Sequence, residues 1–217
     1  MAPSGTPPAP SLAVLWVLLG LNAAVYVAWQ AALRQPGDAA VDFMAANFRV
    51  SLDLVAEGRV WTLLTCAFSH VDPGHLMLNM LALWVFGRDV LLRIGSFAFV
   101  HLYVVGGILA SLGHIAWQIA SSDEASGVAA LGASGSVMAI SVLYAAMFPK
   151  RILLVGFLVP MPAAVAVAAY IVLDIVGAFG GVNDRVAHAA HLGGAAYGLA
   201  YWLLRLRRRA PVEPPTR

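Results

Sequence analysis

Charged side chains are scarce in this sequence. Only 11% of its 217 residues are Asp, Glu, Lys or Arg, whereas a soluble globular domain contains about 25%. The hydrophobic fraction is 61% and the mean hydropathy is +0.82. So few charges cannot cover the surface of a soluble domain of this length. The composition therefore excludes a soluble domain and predicts a protein that crosses a membrane several times.

Cysteine, lysine and net charge are also low. The single cysteine, Cys66, excludes a disulfide or a cysteine-based metal cluster within these residues, and its apolar surroundings predict a buried, inert thiol. The net charge of +2 is too small to indicate nucleic-acid binding. Lysine occurs once, as Lys150, and alanine is abundant. This composition is typical of a GC-rich bacterial genome and favours a bacterial inner membrane.

Long apolar runs are abundant, and six of them approach or exceed the length of about 20 residues that a membrane-spanning helix needs. We therefore predict an all-α membrane protein, a bundle of six transmembrane helices. Pro160 and Pro162 interrupt the fifth run, so its helix is expected to begin near Ala163. The runs are residues 11–33, 75–92, 95–120, 128–148, 152–179 and 186–206.

The first run could instead be a signal peptide, but residues 1–10 contain no Lys or Arg, which favours a retained span. Most basic residues lie between spans 2 and 3, between spans 4 and 5, and after span 6. The positive-inside rule therefore predicts that both termini are cytoplasmic. Residues 1–10 and the basic, Pro-rich residues 207–217 are predicted to be disordered tails around a domain at 11–206. The long external connection, residues 34–74, has apolar patches and is predicted to be partly embedded in the membrane.

Polar groups inside predicted spans are costly, so each is a candidate functional residue. Asn79, Ser134 and His191 lie on three different spans, each about 8–9 Å of helical rise from the outer end. A serine hydroxyl becomes a good nucleophile when a base takes its proton, and histidine is the usual base. The common depth therefore predicts a nucleophilic site that opens to the outer side.

Further residues could complete this site. His75 and Asn79 are i and i+4 on one helix face. Both can donate hydrogen bonds to an oxyanion, as can the backbone N–H of Ser134 near a helix start. Small residues near Ser134 and His191 are predicted to let the helices pack closely. They are Gly132, Gly135, Gly194 and Gly198.

Other interpretations of these residues remain open. A lone serine in a span commonly bonds its own i−4 carbonyl, and Gly-x-Ser-Gly is a weak motif by itself. His188 and His191 are three residues apart on one helix face and could be metal ligands. Together with His70 and His75 they could form the metal site of a transporter.

Three ionisable residues in the spans have no partner motif. Asp174 is interpreted as hydrogen-bonded to a neighbouring helix and not as a catalytic group. His101 and His114 lie in the third span and are interpreted as packing or interfacial residues.

Three motifs in the chain resemble those of the rhomboid intramembrane serine proteases, in the same order, and the resemblance extends from the first span to the sixth. Each motif is modest alone, and the ordered set is specific. The motifs are His-x4-His-x3-Asn (His70, His75, Asn79), Gly-x-Ser-Gly (Gly132, Ser134, Gly135) and Ala-His-x2-Gly-x3-Gly (Ala190, His191, Gly194, Gly198).

The resemblance implies an endopeptidase that cuts transmembrane proteins near their outer ends through a Ser–His dyad, without a third acidic residue, a cofactor or a metal. Ser134 matches the nucleophile. His191 matches the general base, since it precedes glycines at +3 and +7, whereas His188 does not. His75 and Asn79 match oxyanion-stabilising positions. The implied partners are membrane-protein substrates and the lipid bilayer, with no nucleic acid.

Two positions depart from the family pattern. Where the family often has Trp-Arg in the external loop, Trp61 is followed by Thr62, and Met138 stands where some members place an aromatic ring on the catalytic histidine. His70 matches a structural position. The alternative function is that of a rhomboid-like module that binds membrane proteins without cutting them. Such relatives typically lack the serine or the histidine, and this chain has both.

Overall fold

The computed structural model describes residues 11–120, 128–156, 158–179 and 187–207. This part of the chain is mostly helical, which confirms the predicted class of a helical membrane protein. The predicted tail at residues 1–10, and all of the tail at 207–217 except Arg207, lie outside the described residues, so both remain predictions.

Nine α-helices, a 3-10 turn (Cys66–Phe68), a π-helical turn and one short hairpin are the regular elements of the described residues. Helices α1, α5 and α6 are each long and apolar enough to cross a membrane, and α7 and α8 are shorter apolar helices. The elements are α1 (Ala13–Ala32), α2 (Ala39–Phe48), α3 (Leu52–Ala56), α4 (Thr62–Thr65), α5 (Pro73–Ile94), α6 (Ser96–Ala120), α7 (Ser134–Met147), β1 (Ile152–Val155), β2 (Val159–Pro162), α8 (Ala163–Phe179) and α9 (His188–Tyr201), which a π-helical turn (Trp202–Leu206) continues.

The start of α7 corrects the fourth predicted span. Residues 128–133 are not helical, because Val50 and Ala130 form an isolated antiparallel bridge with both hydrogen bonds at 2.8 Å. Gly132 follows with φ +132°, which no helix adopts. Ser134 is therefore the first residue of its helix and does not lie about six residues inside it.

The fifth predicted span also needs correction. Its first half is an antiparallel hairpin in which Ile152 pairs with Pro162 and Val155 with Val159. Both prolines lie in β2, where a two-stranded sheet leaves an edge that needs no N–H donor. Helix α8 begins at Ala163, the residue that the prolines indicated.

The long connection between α1 and α5 is built of short helices packed on the bundle. The hydroxyl of Tyr103 in α6 donates to the carbonyl of Ala67 at 2.8 Å, and Ser111 donates to Leu63 at 2.9 Å. Trp29 Nε1 donates to Ser69 Oγ at 2.7 Å. These bonds join the connection to α1 and α6 and hold it beside the start of α7.

The two positions around Trp61 make local bonds within this connection. Trp61 Nε1 donates to Asn47 Oδ1 at 3.1 Å, and the Thr62 hydroxyl donates to the carbonyl of Arg59 at 2.7 Å. Thr62 is fully buried. A short polar side chain thus fills the place where the family often has arginine.

Candidate active site

Ser134 and His191 meet between α7 and α9. The hydroxyl oxygen of Ser134 lies 2.8 Å from Nε2 of His191, a hydrogen-bond distance. Ser134 is partly exposed, whereas His191 is buried. As the first residue of α7, Ser134 has a backbone N–H with no partner inside its helix. The site thus combines a hydroxyl, an imidazole nitrogen and the backbone N–H of Ser134, which is unpaired within its helix.

Glycines allow α7 and α9 to approach this closely. A β-carbon on Gly194 would lie 2.0 Å from the carbonyl oxygen of Gly135, and one on Gly198 would lie 2.3 Å from that of Ala139. A β-carbon on Gly135 would come within 2.2 Å of Ala110 in α6. Any side chain at these three positions would have to push a neighbouring helix away.

An acidic residue lies on the far side of His191. Oδ1 of Asp174 is 2.9 Å from Nδ1 of His191, and the same oxygen is 2.8 Å from Nδ1 of His188. Asp174 is on α8 and is almost fully buried. The bonds to α9 agree with the interpretation of Asp174 as bonded to a neighbouring helix. They differ from the implied dyad, because a carboxylate occupies the position of a third member.

The aromatic ring of Tyr170, on α8, approaches His191. The ring centroids of Tyr170 and His191 are 5.9 Å apart. Met138, four residues after Ser134, is buried in the hydrophobic core. The sequence reasoning missed Tyr170 and did not connect Asp174 with His191. The available signal was the i, i+4 spacing of Tyr170 and Asp174, which places both on one face of α8, an otherwise apolar helix.

His75, on α5, lies near Ser134, and Asn79 is one turn further along α5. A β-carbon on Gly132 would be 2.7 Å from Cε1 of His75 and 3.7 Å from Oγ of Ser134, so imidazole and hydroxyl flank the same glycine. Asn79 is buried, and its Nδ2 donates to the His75 carbonyl at 2.9 Å. A second Nδ2 hydrogen remains for another acceptor.

His70 supports the segment that precedes Ser134. It is fully buried, and its Nε2 accepts a hydrogen bond from the backbone N–H of Ala133 at 3.3 Å. Burial, reinforced by the neighbouring His75, lowers the pKa of His70 to about 3. The neutral ring therefore stays an acceptor for Ala133 and orders the residue before the serine.

A cavity lies beside Ser134. Small side chains line most of it, including Ala67, Gly107 and Ala110, with Gly132 on the side of the serine. Cys66 also lines it, with Sγ 3.1 Å from Oγ of Ser111. Burial raises the pKa of the Cys66 thiol to about 11, so the thiol is protonated and unreactive at neutral pH.

The four-histidine metal set considered from the sequence is not the group that the structure brings together. In the described residues, the ligand atoms of Asp174, His188 and His191 lie within 4.8 Å of one another. His114 is bonded to the Val128 carbonyl at 3.0 Å, and His101 lies 2.9 Å from the Tyr197 hydroxyl. Both of these histidines lie on α6, where His101 contacts α9 and His114 contacts the segment before α7.

Comparison with known proteins gives a family match and several similar proteins. A family model described as the rhomboid domain matches residues 57–208. The chain is 36% identical to RHOMBOID-like protein 12, mitochondrial, of Arabidopsis thaliana, over 86% of this chain and 57% of that protein. It is 32% identical to Rhomboid protein 1, mitochondrial, of Saccharomyces cerevisiae, over 87% of this chain and 52% of that protein.

A further relative is Presenilin-associated rhomboid-like protein A, mitochondrial, of Danio rerio. It is 28% identical over 85% of this chain and 45% of that protein. The chain therefore spans about half the length of the curated relatives it matches.

Proposed function

This chain belongs to the rhomboid family, and from that premise we propose that it is an intramembrane serine endopeptidase. It hydrolyses peptide bonds in or near the transmembrane segments of membrane-protein substrates. The observation that carries the proposal is the 2.8 Å contact between Oγ of Ser134 and Nε2 of His191. In this proposal Ser134 is the nucleophile and His191 the general base.

The reaction is acyl transfer in two steps. His191 Nε2 takes the Ser134 proton while Oγ bonds to the substrate carbonyl carbon, and the C=O electron pair moves to the oxygen. The backbone N–H of Ser134, with His75 and Asn79, holds this oxyanion. The oxyanion then collapses, the C–N bond breaks, and His191 gives its proton to the leaving amine. Water next attacks the acyl carbon while His191 takes its proton, and the C–Oγ bond breaks as that proton returns to Ser134.

The membrane arrangement follows from the predicted orientation. In this proposal α1, α5, α6, α7, α8 and α9 cross the bilayer, with both termini on the cytoplasmic side. Ser134 then lies near the outer ends of the helices, where water reaches it from the outer side. The connection between α1 and α5 lies partly in the outer leaflet.

The protein is an integral membrane protein, and its compartment is part of the proposal. Composition favours a bacterial inner membrane, whereas the names of the relatives in Arabidopsis and yeast are mitochondrial. The chemistry requires only a bilayer with an aqueous face on the outer side. No metal or organic cofactor takes part in the proposed steps.

Cleavage by the purified chain tests the proposal. The chain, in detergent and in liposomes, is incubated with several single-span substrates and separately with a fluorophosphonate, which labels activated serines. Wild-type protein is expected to cut and to be labelled, whereas Ser134→Ala and His191→Ala do neither. Matched controls are Ser141→Ala, a buried serine of α7 bonded to its own i−4 carbonyl, and His101→Gln on the exposed face of α6.

The controls also separate the alternatives. Equal cleavage by wild type and Ser134→Ala would assign the activity to a contaminant. Wild type that neither cuts nor is labelled, yet retains single-span proteins on a column, would support the non-cutting binding module.

A further inference from the structure

A buried carboxylate joins two histidines next to Ser134. Oδ1 of Asp174 accepts from Nδ1 of His191 and from Nδ1 of His188, at 2.9 and 2.8 Å. Asp174 is 2% exposed, and its Oδ2 has no hydrogen-bond partner among the described residues. A chain of hydrogen bonds thus runs from His188 through Asp174 and His191 to the serine hydroxyl.

The carboxylate decides where the histidine hydrogens lie. An ionised carboxylate only accepts hydrogen bonds, so each Nδ1 that faces Oδ1 carries a hydrogen. A neutral imidazole with its hydrogen on Nδ1 has its lone pair on Nε2. For His191 that nitrogen is the one 2.8 Å from the Ser134 hydroxyl. This tautomer is the one that can accept the serine proton.

The cost of burying Asp174 strengthens this assignment. Asp174 is the single charged residue of α8, and a buried charge is costly unless it is paired. The two histidine N–H groups are the partners found for it among the described residues. An ionisable group kept in an apolar helix, with its bonds directed to a residue of the site, indicates a function at that site.

We propose that Asp174 is a positioning residue for the hydrolysis, an inference that rests on the proposed function. It keeps the hydrogen of His191 on Nδ1, so that Nε2 accepts the Ser134 proton as Oγ bonds to the substrate carbonyl carbon. The resulting imidazolium has a carboxylate at 2.9 Å, and Asp174 retains its charge throughout. His188 holds the same oxygen and keeps the carboxylate in place.

Two substitutions of Asp174 separate positioning from packing. Asn has the size of Asp, but its NH₂ can donate to Nδ1 of His191 and so shift the hydrogen to Nε2. Glu is larger but keeps the negative acceptor. We expect kcat to fall by at least about 100-fold in Asp174→Asn, with KM nearly unchanged. Asp174→Glu is expected to cut faster than Asp174→Asn.

A packing role predicts the opposite order, because Asn fits the site better than Glu. Asp53→Asn makes the same chemical change at an exposed position of α3 and is expected to cut as wild type does. Equal kcat in wild type and Asp174→Asn, or a Glu variant less active than the Asn variant, would overturn the proposal.

The tautomer is measurable without a substrate. Nitrogen-15 spectra of the full chain with labelled histidines distinguish a protonated from an unprotonated ring nitrogen, and His191→Gln identifies the His191 signals. The expected result is hydrogen on Nδ1 in wild type and on Nε2 in Asp174→Asn. Hydrogen on Nε2 in wild type would contradict the inference, whatever the cleavage results.

A chelator tests the competing role of Asp174 as a metal ligand. The Asp174 carboxylate and the ring nitrogens of His188 and His191 lie close enough together to hold an ion. Unchanged cleavage in EDTA supports positioning, whereas loss of cleavage that Zn²⁺ restores would overturn it. Wild type that neither cuts nor is labelled overturns the proposed function. Wild type that cuts no better than Asp174→Asn overturns this inference alone.

Discussion

The α-carbon of Gly194 lies directly against the carbonyl group of Gly135, and a β-carbon there would come within 2.0 Å of that oxygen. This contact sets the spacing of α7 and α9. Because Ser134 precedes Gly135 and His191 lies one turn before Gly194, the same spacing sets the distance between hydroxyl and imidazole.

Gly194→Ala is expected to separate the two helices and reduce cleavage. A misplacement of about 1 Å costs on the order of 100-fold in rate, and overpacking destabilises by about 1–3 kcal/mol. The initial cleavage rate and the thermal midpoint measure both effects. Gly20→Ala in α1 is the control, because its β-carbon would meet nothing within 4 Å. A Gly194→Ala variant that cuts like the control would contradict the spacing argument.

Gly132→Ala is expected to abolish cleavage through two effects. Alanine is strained at φ +132°, and its β-carbon would lie 2.7 Å from Cε1 of His75. Gly58→Ala is a matched control, because it has φ +89° with nothing within 4 Å of the added carbon. Both variants lose about 1 kcal/mol or more from strain, and Gly132→Ala alone loses fluorophosphonate labelling. Equal labelling of the two variants would show that the crowding at His75 has no effect on the site.

Acid is expected to destabilise the fold through His70. The pKa of the buried ring is lowered to about 3 from its ordinary 6.5, so between these values the unfolded chain binds a proton that the folded chain does not. The stability that His70 contributes is complete above pH 6.5 and falls, by up to about 1.4 kcal/mol per pH unit, as the pH decreases toward 3. Thermal midpoints from pH 7 to pH 4 measure this fall.

His70→Gln is the variant that isolates this effect. Its amide oxygen can still accept from Ala133 but does not titrate. The variant is expected to lose less stability on acidification than wild type, whereas His101→Gln on the exposed face of α6 loses as much as wild type. Parallel curves for wild type and His70→Gln would show that other groups determine the acid response.

The cavity beside Ser134 predicts a preference for small substrate side chains. Its volume of only about 20 Å³ leaves little room for a large group next to Ser134. Alanine on the amino side of the scissile bond is expected to be cut at least about 10-fold faster than phenylalanine, since a misfitting methylene alone costs about 1–3 kcal/mol. Competition between two substrates that differ at this residue measures the ratio. Equal rates would place that side chain elsewhere.

The apolar runs predicted where the long helices lie, because about 20 apolar residues at 1.5 Å each are recognisable without any tertiary contact. The hairpin of β1 and β2 was missed, because a short apolar run such as residues 152–162 has no period that separates strand from helix. The late start of α7 depends on the pairing of Val50 with Ala130, a contact between distant parts of the chain.

The candidate site divides in a similar way. Motif order selected Ser134 and His191, and the structure brings them together. The link to Asp174 depends on how α8 is rotated against α9, and a single sequence carries no information on the register between two helices. Tyr170 lies one turn from Asp174 on the same face, so its approach to His191 was missed together with the bond between Asp174 and His191.

Ser134 is translated before Asp174 and His191, the residues that join it in the folded site. Asp174 and His191 lie on the last two helices described, and α9 packs against the nucleophile helix only after its own residues have been made. A ribosome-bound chain that ends before α9 has its serine but no histidine at 2.8 Å. Translation therefore completes the proposed pair of Ser134 and His191 only after α9 has been made.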